Sequence, residues 1–89
     1  MIKYYKGEKM ESKIAVIAII VSDIESVERV NGILHEYGKF VIGRMGLPYK
    51  EKNVSVINVV LDAPMEVLNS ISGKLGMVRG VSSKLLTTK

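Results

Sequence analysis

Strand-like apolar runs and helix-period stripes alternate along this 89-residue chain in the order strand, helix, strand, strand, helix, strand. The length suits one domain. Right-handed crossovers applied to both strand-helix-strand units then predict an α+β fold. It is a ferredoxin-like βαββαβ two-layer sandwich, a four-stranded antiparallel sheet with two helices on one face.

Residues 1–12 (MIKYYKGEKMES) show no apolar period and read as an N-terminal arm, with residues 13–89 as the single domain. Residues 13–21 (KIAVIAIIV) are β-branched and apolar on both alternating sides, the pattern of a central strand covered on both faces. Ser22-Asp23-Ile24-Glu25 fits a capping box with Ser22 as the cap. Behind it Ile24, Val27, Val30, Leu34 and Tyr37 form one apolar helical stripe, and Gly38 is the expected left-handed residue at its end.

Residues 39–47 (KFVIGRMGL) predict a second strand loosened by Gly43 and Gly46, followed by an exposed turn from Pro48 to Asn53. Residues 54–61 (VSVINVVL) make a third strand, again apolar on both sides apart from Ser55 and Asn58. Pro64 marks the start of the second helix, where its missing N–H is not needed. Val67, Leu68, Ile71 and Leu75 are its stripe and Gly76 its end. The last run, residues 81–87 (VSSKLLT), is the most polar and predicts an edge strand.

Composition excludes several chemistries. There is no cysteine, so disulfides, iron–sulfur clusters and thiolate zinc sites are ruled out. His35 is a lone histidine, and one imidazole without a thiolate makes no intrachain site of that kind; its place near a helix C-terminus is electrostatically favourable. No metal site, no cofactor and no catalytic residues are expected, because no nucleophile, base and orienting group form a recognisable set. Val21-Ser22-Asp23-Ile24 is not the glycine-rich phosphate cradle that an acylphosphatase-type enzyme needs after its first strand. The longest apolar run, Ile14 to Val21, is far short of the roughly 20 residues that cross a bilayer, so the expected address is the cytoplasm with no membrane contact. Absence of Gln with abundant Lys and Glu matches heat-adapted composition.

Two helices cover one face of a four-stranded sheet, yet the first and third strands are apolar on both. The uncovered face predicts a homo-oligomer, dimer or tetramer, assembled through Ile17, Ile19, Ile57 and Val59. Asn58, an amide within an apolar strand, and the Gly43-Arg44-Met45-Gly46 segment are the candidate effector or interface residues. The alternative partner is nucleic acid, met by Tyr4 and Tyr5 of the arm and by a basic edge of Arg44, Lys50, Lys52, Lys74 and Arg79. Against it, the two central strands lack the aromatic residues that stack bases on ferredoxin-like sheets, and the net charge of +4 is dispersed.

The segments Ile14-Ala15-Val16-Ile17, Ile33-Leu34-His35-Glu36-Tyr37, Ile42 to Tyr49, Asp62-Ala63-Pro64 and Ser72 to Met77 carry a resemblance that spans residues 13–89. The chain is similar to the short proteins described as regulators of the iron-only hydrogenase system, whose fold is of the ACT-like or nickel-regulator C-terminal-domain type. The resemblance implies an oligomeric, effector-sensing regulatory module, acting on transcription, without catalysis. Nickel regulators use His and Cys for their metal, so that function does not transfer to a chain with one His and no Cys.

Overall fold

The computed structural model describes the backbone of residues 2–5 and 8–88 and the side chains of residues 11–88. Its strands are β1 (Ile2–Tyr5), β2 (Glu8–Val21), β3 (Val41–Tyr49), β4 (Val54–Pro64) and β5 (Val81–Thr87), and its helices are α1 (Val27–Glu36) and α2 (Met65–Gly76). The order β3-β4-β2-β5, antiparallel throughout, is that of the ferredoxin-like sandwich. The polar last strand lies at an edge, as its composition predicts.

The first strand starts earlier than expected, at Glu8 rather than residue 13, and its added residues pair with β1, placing Ile2 opposite Glu11 and Tyr5 opposite Glu8. The side chains of Tyr4 and Tyr5 lie outside the described residues. β4 likewise runs on to Pro64, because Ser12 and Lys13 of the long β2 offer partners to Pro64 and Ala63.

At the start of the first helical segment the cap is Asp23, not Ser22. Its Oδ1 accepts from the Glu25 N–H at 3.1 Å and opens a short 3-10 turn, Ile24–Ser26, that leads into α1. Ser22 is used elsewhere: its N–H and Oγ both donate to the Gly80 carbonyl, at 2.8 and 3.0 Å. Because the 3-10 turn winds more tightly than an α-helix, Ile24 rotates out of the expected stripe into solvent, and Val30, Ile33 and Leu34 form the buried face. Gly38 does not take the left-handed conformation; the chain continues into another 3-10 turn, Gly38–Phe40, which buries Phe40. Positive φ occurs among the described residues at Gly80 (72°) and at Asn53 (55°), which closes the β3–β4 turn. α2 begins directly after Pro64 and buries Leu68, Ile71 and Leu75.

The two helices cover the face of the sheet made by Ala15, Ile17, Ile19 and Val21 of β2 and Ile57, Val59, Leu61 and Ala63 of β4. This reverses the expected oligomer face. Ile17, Ile19 and Val59 have no exposed surface and Ile57 is 4% exposed, so all four are the domain's own core and cannot meet a partner. Both alternating sets are apolar, and only the side on which the crossovers carry the helices distinguishes them.

Candidate functional site

Strand side chains alternate between faces, so the uncovered face carries Ile14, Val16, Ala18 and Ile20 from β2 and Val54, Val56, Asn58 and Val60 from β4. Gly43, Met45, Leu47 and Tyr49 of β3 join it by cross-strand pairing, as do Ser82, Lys84 and Leu86 of β5. Its rows can be read across four strands. Gly43, Val60, Val16 and Leu86 make one; Met45, Asn58, Ala18 and Lys84 the next; Leu47, Val56, Ile20 and Ser82 the third. The outer rows are dominated by aliphatic side chains. The middle row dips at Ala18, flanked by the amide of Asn58 and the ammonium of Lys84.

Exposure follows from the lack of a covering layer. Ile14, Ile20, Met45, Leu47, Tyr49 and Leu86 are all large apolar residues in solvent. Asn58 is half-buried among them, and its amide has no hydrogen-bond partner among the described residues. A polar group so placed costs about 1–3 kcal/mol if water is removed without replacing its hydrogen bonds.

The candidate residues fall on two sides of the sheet. Asn58 and Met45 stand opposite each other on the open face, with the Gly43 backbone beside them. Arg44 shares the parity of Val59, so it leaves on the helix side, where its Nη2 donates to Asn31 Oδ1 of α1 at 2.6 Å. Gly46 falls on that parity too. The β-bulge between Val41 and Gly43 turns Ile42 outward. Lys84 was missed from sequence; its spacing of two from Leu86 and Ser82 was the available signal.

The proposed basic edge is divided. Lys74 Nζ donates to Glu36 Oε2 at 2.8 Å and lies 5.0 Å from the Tyr37 ring centre, joining α2 to α1. Arg79 Nε lies 3.7 Å from Asp23 Oδ2. Lys50 and Lys52 flank Glu51 in the turn after β3. Thus three of the five cations have a partner within the chain. His35 is exposed in the last turn of α1. Among the described residues no three of His, Cys, Asp or Glu cluster as metal ligands, and no helix is long and apolar enough to cross a membrane.

A sheet of this order with two helices on one face defines a ferredoxin-like α+β domain, and a formyltetrahydrofolate deformylase from Pseudomonas putida KT2440 contains a similar one. That match has a TM-score of 0.60 at 12% identity over 81% of this chain and 28% of the other, and it shows the fold alone. The relationship becomes specific in a family comparison: residues 13–85 match the family model TM1266-like, "Iron-only hydrogenase system regulator, putative", and the chain belongs to that family. The structure of the uncharacterized protein TM1266 from Thermotoga maritima agrees, with a TM-score of 0.84 and 30% identity over 89% of this chain and all of the other. None of the curated proteins compared matches.

Proposed function

We propose that this protein is a non-catalytic, homo-oligomeric regulatory module of the iron-only hydrogenase system whose subunits meet through the open sheet face. Family membership supports the regulatory reading. The observation that carries the assembly is the face itself, three rows of side chains with large aliphatics along both margins and Asn58 near the middle. Soluble monomers avoid exposing a contiguous apolar patch of this kind. A second copy suits it better than an unrelated partner, since one amide supplies both a donor and an acceptor. Asn58 can therefore pair with Asn58 of the partner subunit about a two-fold axis, as isologous contacts require. Such a pairing offsets the cost of drying the amide.

The dip at Ala18 is the effector position in this reading. Asn58 and Lys84 would meet a small anionic or carbonyl-bearing molecule there, with Met45 at the margin. Regulation follows if the effector and the partner compete for, or share, the same polar row.

Light scattering on the full chain tests the assembly. The expected mass is at least twice the 9.8 kDa of one chain, and Val56→Lys, on the open face, is expected to lower it with the circular dichroism unchanged. A monomeric wild type at micromolar concentration would refute the proposal. Salt-sensitive retention of DNA or RNA, lost in a Lys50→Glu/Lys52→Glu variant, would favour the nucleic-acid alternative instead.

A further inference from the structure

The chain has no cysteine, so its oxidisable sulfur is the thioether of its five methionines. The side chains of three are described, Met45, Met65 and Met77. Met65 packs against the core at the start of α2, where an oxidant has poor access. Met77 is 88% exposed, but it caps the C-terminal end of α2, in the helix layer and away from the open face. Met45 combines exposure with position. It is 63% exposed on β3, the outer strand on its side of the sheet, and it stands directly opposite Asn58 on the open face.

Side chains directly opposite in antiparallel strands have Cβ atoms about 4.5–5.5 Å apart. The Met45 sulfur lies two bonds beyond its Cβ on a freely rotating chain, which brings it within reach of the Asn58 amide. A thioether is a weak acceptor, so in the reduced protein the Asn58 N–H groups stay available to a facing subunit. Oxidation reverses this, because a sulfoxide is polar and carries an acceptor oxygen.

We infer that Met45 is a reversible oxidation site whose sulfoxide captures the Asn58 amide and releases the subunits. The inference rests on the open-face assembly proposed above and supplies its regulation. In the step itself, hydrogen peroxide delivers one oxygen to Sδ. The O–O bond breaks and an S=O bond forms; the thioether loses two electrons, and the peroxide is reduced and leaves as water. The new oxygen accepts from Asn58 Nδ2 and holds the amide toward β3, turned from Asn58 of the partner subunit. It also places a polar group beside Leu47 and Val56, which the assembly would have to dry. Because β3 is the outer strand, the sulfur stands at the rim of the covered face, open to a molecule as small as peroxide. Methionine sulfoxide reductases, one for each sulfoxide epimer, restore the thioether and with it the assembly.

Two measurements on the full chain test this. In the first, hydrogen peroxide is titrated into wild type, a Met10→Leu/Met77→Leu variant and a Met45→Leu variant. Peptide mass spectrometry locates the oxidised residues while light scattering follows the mass. Dissociation is expected to track Met45 oxidation in the first two proteins, with the subunit dissociation constant raised about ten-fold or more. It is expected to reverse on reductase treatment and to be absent from Met45→Leu. Assembly that persists with Met45 fully oxidised, or equal dissociation of Met45→Leu, overturns the inference. The second measurement reads the side-chain amide resonances of Asn58 in the Val56→Lys variant, where no assembly is needed. They are expected to shift on oxidation and to stay fixed when Met45→Leu is added; an amide unmoved by the sulfoxide also overturns it. A wild type that is monomeric before peroxide refutes the assembly and the release together, whereas an assembled wild type that ignores Met45 oxidation refutes the switch alone.

Discussion

A Cβ placed on Gly80 would lie 2.7 Å from the Cβ of Asp23 and 3.0 Å from its nitrogen. The α2–β5 turn is thus pressed against the loop that opens α1, with Gly80 in the left-handed region at φ 72°. Gly80→Ala must overcome both the backbone strain and the clash, an expected loss of about 2 kcal/mol or more. Denaturant unfolding measures it, and a loss below about 0.5 kcal/mol would contradict the geometry.

The same two turns are tied by Ser26, whose Oγ donates to the Arg79 carbonyl at 2.7 Å while the residue is 8% exposed. Ser26→Ala leaves that carbonyl without its donor and is expected to cost about 1–2 kcal/mol. Asp23→Ala, which removes the cap from the Glu25 N–H, is expected to cost about 1 kcal/mol. Because these substitutions lie in one packed junction with Gly80, their effects should not add, and a double-mutant cycle reads the difference.

Opposite faces of β2 make opposite predictions. Ile17→Ala opens a cavity under the helices and is expected to lower stability by about 2–5 kcal/mol. Ile20→Lys faces solvent in the isolated domain, so its fold should survive while the assembly weakens. Thermal unfolding and light scattering on the two variants separate these outcomes, and a folded, monomeric Ile17→Lys would invert the assignment of faces.

The Lys74 ammonium is held above its ordinary 10.5 by its hydrogen bond to Glu36, by Tyr37, and by the charge on Glu36. The folded pKa exceeds the unfolded one. Its stabilisation is therefore complete below the ordinary value and is lost as pH rises through the raised one. The difference in unfolding midpoint between wild type and Lys74→Met is expected to stay constant from about pH 7 to 9, then shrink above about 10.5. Both side chains are well exposed, so added salt should reduce the difference as well.

Element order was legible in the sequence because apolar period and turn chemistry are local. Pro64 announced α2, and the Ser, Ser, Lys of residues 82–84 announced an edge. The cap was misplaced by one residue because Ser22 and Asp23 are both competent, and the choice depends on Gly80, 57 residues beyond Asp23 in the chain. The candidate site was half legible. Asn58 and Met45 share the open face, whereas Arg44 goes to the helix side, since neighbours in a strand point to opposite faces.

By itself the sequence determined a two-layer α+β domain with more apolar sheet surface than two helices can cover, because period and composition are carried residue by residue. Which surface is left uncovered was decided only by the tertiary structure. Ile17 and Ile20 are the same residue type three positions apart in one strand, and hydrophobicity cannot distinguish them. The side on which the crossovers lay the helices makes Ile17 the core and leaves Ile20 half exposed, at 48%, on the open face of the sheet.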